Sequence, residues 1–289
     1  MKTTARILLL LLAASVMAGC APQTPQADIA ATTLPVYEFT SLLCRGTDLT
    51  VTQLVTENVS CLHDYSLSVK QVKSLESAQV VVLSGGGLED FMADVLDSKD
   101  VIDSSAGIPL LENCHDHDHE HHHHEADAHF WLSPDCAKIM VNNICQGLIA
   151  RYPQHEDQFR SNLADLLGQL DALKAYASAQ LGTLSCREMI TFHDGFSYFA
   201  QAFDLHILAA LEEESGSEAS ASELKELITM TKEHNLPAIF TEANGSDRSA
   251  KVIAEATDAK VYQLSMVMSG ESYFTAMYRN IDTVKEALG

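Results

Sequence analysis

His63, His129 and His193 each fall where an apolar run gives way to a turn or a helix start. His63 lies in Cys61-Leu62-His63-Asp64-Tyr65-Ser66, after the apolar stretch that ends near Val55. His129, in Ala128-His129-Phe130-Trp131-Leu132-Ser133-Pro134, precedes a helix expected from Pro134. His193 closes the run Met189-Ile190-Thr191-Phe192 and is followed by Asp194-Gly195, where another helix is expected to begin. Ligands of open α/β sheets gather beyond the carboxyl ends of strands, and neutral imidazole suits Zn, Cu and Ni. Three imidazoles held at such junctions point to one preformed metal site.

A second set differs in kind. Seven of the thirteen histidines (His115, His117, His119, His121, His122, His123 and His124) are interleaved with acids, in a run from Cys114 to Glu125 without an apolar residue. Such a segment cannot pack, so residues 113–127 are expected to form a mobile surface loop. Its imidazoles make it a secondary, low-affinity metal collector, because ordering a loose chain around an ion costs entropy and selects poorly among metals. His155, His206 and His234, near a helix start, on a strand and near a helix end, read as structural.

Three imidazoles and a water also describe a catalytic zinc. Hydrolysis needs a positioned base as well, and Asp64 and Asp194 are the acids adjacent to the candidate ligands. Both fit better as acceptors that orient the histidines. No serine nucleophile elbow is present. The expectation is a binding protein with no catalytic residue, not an enzyme.

The elements that must hold these residues alternate between strand and helix. Ile29–Thr33, Leu49–Val55, Val80–Leu83 and Val101–Ile102 read as strands of a first half, with helices starting near Gly87-Leu88 and spanning Pro134 to Ala150. Glu188–Phe192, Leu205–Leu211, Ala238–Thr241 and Val261–Leu264 read as strands of a second half, with helices near 195–203, 220–234, 246–257 and 271–287. Ser220 with Glu223 makes a capping box, and Ser246 or Asp247 can cap the next helix. Between the halves, apolar residues recur on one face from Phe159 through Leu163, Leu166, Leu170 and Leu173 to Leu181 and stop at Gly182. About 27 helical residues at 1.5 Å each would span about 40 Å, a stiff strut past both halves. The predicted fold is therefore α/β: two lobes with parallel β-sheets flanked by helices, joined by one long backbone helix. The expected boundaries are 28–152 for the first lobe, 153–182 for the connecting helix and 183–289 for the second lobe.

Residues 1–19 carry Lys2 and Arg6, then an apolar run from Ile7 to Leu12, then small residues ahead of Cys20. That is the pattern of an export signal, too short to span a bilayer. Ala18-Gly19-Cys20 looks like a bacterial lipobox, which predicts lipidation at Cys20, with 20–27 as a tether to the extracytoplasmic face of the membrane. Removing residues 1–19 takes away two bases and no acid, leaving 16 bases against 40 acids and a net charge of about −24 with His neutral. Such a surface repels nucleic acid and attracts cations. Six further cysteines (Cys44, Cys61, Cys114, Cys136, Cys145 and Cys186) permit up to three disulfides, although Cys136 and Cys145 share an expected helix and cannot pair with each other. No CxxC occurs.

Several motifs together resemble the cluster A-I (cluster 9) solute-binding proteins of ABC transporters for zinc and manganese, in the zinc branch with a His-rich loop. They are His63-Asp-Tyr-Ser-Leu67, Val81-Val-Leu-Ser-Gly-Gly-Gly-Leu-Glu89, His129-Phe-Trp-Leu-Ser-Pro134, Phe192-His-Asp-Gly-Phe-Ser-Tyr-Phe-Ala200, Ile239-Phe-Thr-Glu242 and Ser272-Tyr-Phe-Thr-Ala-Met-Tyr-Arg-Asn280. The resemblance covers essentially all of residues 28–288, with these motifs in order. The resemblance implies two lobes around an interlobe metal site, with His63, His129 and His193 as ligands of Zn2+. It also implies delivery to a cognate ABC permease and its ATPase by a monomeric protein. One departure stands out. The family usually brings a carboxylate from the loop after the last strand of the second lobe, where this chain reads Leu264-Ser265-Met266-Val267. A water is the expected fourth ligand, with Glu242, Glu271 or the His-rich loop as alternatives.

Overall fold

The computed structural model describes residues 27–57, 62, 65–112, 126–211, 219–243 and 245–289. The expected signal segment, Cys20, His63 and the seven histidines between 115 and 124 lie outside the described residues.

Two four-stranded parallel sheets form the frame. The first contains β1 (Ile29–Ala31), β2 (Val51–Gln53), β3 (Val80–Leu83) and β4 (Asp100–Asp103), in the order β2-β1-β3-β4. A two-stranded antiparallel ribbon, β5 (Leu111–Glu112) with β6 (Ala126–Asp127), follows. The second sheet contains β7 (Glu188–Phe192), β8 (His206–Ala210), β9 (Ala238–Glu242) and β10 (Lys260–Leu264), in the order β10-β9-β7-β8. The two orders are the same topology. In each sheet the chain leaves its first strand for one neighbour, then crosses to the opposite side. Each sheet therefore has a switch point, between β1 and β3 and between β7 and β9, where strand ends diverge and leave a crevice.

Helices cover the sheets. Those of the first half are α1 (Leu34–Leu43), α2 (Val69–Ser77), the short α3 (Ala93–Leu96) and α4 (Pro134–Arg151). The connecting helix is α5 (Glu156–Leu181), preceded by a 3-10 turn at Pro153–His155 and closed at Gly182. The second half adds α6 (Ser197–Ala202), α7 (Ala221–Glu233), α8 (Arg248–Ala256) and α9 (Tyr273–Leu288). The capping box of Ser220 and Glu223 is present on α7. On α8 the Ser246 hydroxyl accepts from the Arg248 amide at 3.3 Å, and Asp247 occupies the cap position without a side-chain bond to the backbone.

The helix expected near Gly87-Leu88 does not start there. Gly85, Gly86 and Gly87 all have positive φ, at 88°, 67° and 90°, a conformation no right-handed helix can use. The chain instead resumes as a 3-10 turn at Asp90–Met92. Gly86 also lets the loop pass against Phe130, whose ring a Cβ there would meet at 2.8 Å.

The 26-residue α5 buries Phe159, Leu166, Leu170, Leu173, Ala177 and Leu181, a stripe at helical spacing. It packs on α1 and α4 of the first half and on α9 of the second. The largest buried cluster runs without a break from Ile29 and Phe39, through Trp131 and Leu170, to Tyr273 and Leu288. The halves thus share one core. Cys44, Cys136, Cys145 and Cys186 are free thiols, so no disulfide joins any two of the four. Burial pushes the Cys44 thiol up to about 12, which keeps it protonated and inert. Among the described residues, no helix is long and apolar enough to cross a membrane.

Candidate metal centre

His129 lies two residues beyond the end of β6 and is held by its own segment. The Asp127 carboxylate accepts both the His129 amide at 2.8 Å and the ring Nδ1 at 2.9 Å. Both side chains are buried, at 4% and 0% exposure. The 3-10 turn Phe130–Leu132 then leads into α4, whose first turn is capped by Ser133. Trp131 is fully buried and sets its ring edge-on to His129, centroids 5.3 Å apart.

His193 follows the carboxyl end of β7. Phe192 pairs with Thr241 of β9, so the next residues, His193 and Glu242, leave neighbouring strands side by side. The imidazole Nδ1 stands 3.8 Å from Glu242 Oε1, and both side chains are buried. The Thr191 hydroxyl donates to the His193 carbonyl at 3.1 Å, fixing the strand end.

The fold brings His129 and His193 together from opposite halves. Their ring centroids lie 5.2 Å apart, with the planes at 85°. Gly195 sits against both rings. A Cβ there would stand 2.8 Å from His129 Nδ1, 2.8 Å from His193 Cδ2 and 2.5 Å from the Met266 methyl. Hydrogen bonds fasten the halves around this point. Trp131 Nε1 donates to the Met266 carbonyl at 2.9 Å, and the Tyr273 hydroxyl donates to the Trp131 carbonyl at 2.8 Å. The Glu38 carboxylate accepts the Tyr273 amide at 2.7 Å. Tyr198 donates to the Pro109 carbonyl and accepts from the Leu111 amide, each at 3.0 Å. Burial pushes its phenol up to about 12, so it remains a donor.

His63 lies outside the described residues, but the chain on either side of it is anchored. Leu62 is fully buried in the shared core. Tyr65 donates to Glu57 at 2.7 Å, and Gln71 bonds both Tyr65 and Glu57, so the residues flanking this segment are tied together. Among the described residues, no three His, Cys, Asp or Glu side chains converge as a metal site.

Where the resemblance leads one to expect an acid, the Ser265 hydroxyl accepts the Val267 amide at 3.0 Å, and Asn280 bonds the Ser265 amide and carbonyl, each at 2.8 Å. Glu271 pairs with Arg279. The three histidines read as structural have partners or positions of their own. His155 meets Asp48, His234 meets Glu188, and His206 begins β8 in an exposed position. The contact of Gly195 with both rings, the role of Asp127 and the Trp131–Met266 bond are not evident in the sequence. Only Asp127 left a signal there, an acid two residues before a histidine, which is the spacing of a side chain that folds back on the following backbone.

Two lobes of parallel sheet, fastened together over a facing pair of buried imidazoles, define a two-lobed α/β fold. The chain belongs to the family described as zinc-uptake complex component A, periplasmic (ZnuA), which matches residues 29–287. Among curated relatives, zinc-binding lipoprotein AdcA of Streptococcus pneumoniae serotype 4 is 31% identical over 304 residues, which takes in 97% of this chain and 60% of AdcA. The chain therefore spans about three fifths of the length of that relative. Among solved structures, a ZnuA superimposes with a TM-score of 0.80 at 30% identity, covering 91% of this chain and 100% of the other. The Zn(II)-bound ZnuA-like domain of Streptococcus pneumoniae AdcA gives 0.77 at 26% identity, covering 91% and 99%.

Proposed function

We propose that this chain captures Zn2+ outside the cytoplasm and hands it to an ABC-type permease and its ATPase, as a lipid-anchored, monomeric binding protein and not an enzyme. The observation that carries this reading is the meeting of His129 and His193, one from each half, in a buried junction, with ring centroids 5.2 Å apart. Imidazole nitrogen suits zinc, and tetrahedral ligation by preplaced rings avoids the ordering cost of a loose segment. His63 is the third ligand in this reading, and a water takes the fourth position. His115, His117, His119, His121, His122, His123 and His124 serve as a weaker collecting set. Cys20 carries the lipid, residues 28–152 and 183–289 are the lobes, and 153–182 connects them. One relative that binds zinc by name, AdcA, and the Zn(II)-bound structure of its ZnuA-like domain support the choice of metal.

Competitive zinc titration tests the reading. Deleting residues 115–124 should leave the tight site within about tenfold, which is about 1.4 kcal/mol. His63→Ala, His129→Ala and His193→Ala should each abolish it. Loss of tight binding on deletion, with His193→Ala unaffected, would reverse the two sites. For the anchor, Cys20→Ser should release the protein from membranes, and equal membrane association of both forms would rule it out.

A further inference from the structure

Both described histidines of the junction present the same ring atom to a buried carboxylate. His129 turns Nδ1 to Asp127 Oδ1 at 2.9 Å. His193 turns Nδ1 toward Glu242 Oε1 at 3.8 Å. The two acids come from different places. Asp127 belongs to the strand that delivers His129, whereas Glu242 ends β9 and reaches His193 only because Phe192 pairs with Thr241. All four side chains are at least nine-tenths buried. A carboxylate facing one imidazole nitrogen fixes the proton there and leaves the opposite nitrogen as the electron-pair donor.

We propose that Asp127 and Glu242 are positioning residues, each holding its histidine with Nδ1 protonated and Nε2 turned to the metal. On this account Glu242 is not the fourth ligand. The same geometry separates the two acids. Asp127 also accepts the His129 amide, so its hold on the ring is built into one turn of chain. Glu242 faces its ring across a strand boundary, and the approach from 3.8 Å to hydrogen-bond distance remains to be made when the ring takes a metal.

This proposal rests on the zinc reading, and its test keeps the two apart. The full chain lacking only residues 115–124 is titrated with zinc, and its cobalt(II) form is examined by visible absorption, a reporter of donor number and geometry. Glu242→Gln and Asp127→Asn should each weaken zinc binding by about 10–100-fold while leaving the cobalt band positions and intensity unchanged. A changed cobalt spectrum in Glu242→Gln would make Glu242 a ligand and overturn the proposal, as would affinity within experimental error of the unsubstituted protein. His193→Ala abolishing tight binding in the same series keeps the zinc reading standing in either case. Should a variant fold poorly, a zinc-bound crystal structure of the unsubstituted protein decides the same point. Nε2 ligation by both rings, with Nδ1 within hydrogen-bond distance of Asp127 and Glu242, is expected. Nδ1 ligation or direct contact between Glu242 and the metal would overturn it.

Discussion

The two sheets repeat one topology, so their switch points can be laid over each other residue by residue. Thr32 is the first residue beyond β1, as His193 is the first beyond β7, and each faces the end of the crossed-to strand, β3 or β9. In the first half that crevice is closed by its own chain. The Thr32 hydroxyl donates to Glu89 at 2.6 Å, and the amides of Ser84 and Gly85 donate to the same carboxylate at 2.8 and 2.9 Å. In the second half the equivalent position offers an imidazole backed by Glu242. Each crevice thus contains a buried glutamate, and what it faces decides its use. Amides and a hydroxyl make Glu89 a fastener for the glycine loop. An imidazole makes Glu242, on the reading proposed above, part of a binding site. Position in the fold alone would not have told them apart.

The sharpest way to break this contrast is to exchange the losses. His193→Ala should weaken tight zinc binding by at least about 100-fold, or about 2.7 kcal/mol, with little change in melting temperature. Thr32→Ala should do the opposite, and a zinc affinity that falls with Thr32 would erase the distinction.

Glu89 itself gives the next effect, read by denaturation as a function of pH. Burial raises its carboxyl from the ordinary 4.5 to about 7, against the lowering influence of its three hydrogen bonds. Between those values the folded chain binds more protons at this group than the unfolded chain does. Its contribution to stability therefore shrinks as pH rises from about 4.5 to 7, with the slope set by that difference in bound protons. Glu89→Gln should flatten that stretch of the curve, while the acceptor it lacks costs about 2 kcal/mol at every pH. An unchanged slope would mean that Glu89 is ionised throughout.

Gly195→Ala changes no ligand, yet its methyl would press on both rings of the junction. Zinc affinity should drop by about tenfold, or about 1.4 kcal/mol, with smaller losses in stability because the flexible Met266 end can give way. The smallest effect is expected from Ser265→Asp, which should raise Mn affinity more than Zn affinity by a factor of a few, because oxygen ligands suit manganese. No shift in the ratio would place the open coordination position away from residue 265.

Much of the frame was legible because its signals are local. Val80–Leu83 is an unbroken apolar run and Glu188–Phe192 a largely apolar one, and the strands occupy those residues. The stripe from Phe159 to Leu181 is helical in spacing and in fact. The misplaced helix near Gly87 failed on three successive positive-φ glycines, a backbone property that apolar spacing does not report. In α1 the buried stripe Val36, Phe39, Thr40 and Leu43 is at helical spacing, but Thr40 is polar and the apolar Tyr37 and Leu42 lie off it, which blurs the one-sided pattern that marks a helix in sequence. At the site, histidines beyond strand ends could be picked out from residue type and position. Their partners could not. Glu242 reaches His193 through strand register, and Trp131 reaches Met266 across 135 residues of chain. Such contacts exist only after the halves have met.

The unbroken core that runs along α5 has a thermodynamic consequence. Independent lobes would melt separately, each around its own interior. Here Phe39 stacks edge-on against Tyr273 at 4.7 Å, and Tyr176 of α5 against Tyr278 at 5.0 Å, so neither half can unfold without exposing the other's aromatic surface. The chain should therefore denature in a single cooperative transition, despite having two sheets. A ligand gripped at the junction would stabilise both at once, by a free energy set by its concentration relative to its dissociation constant.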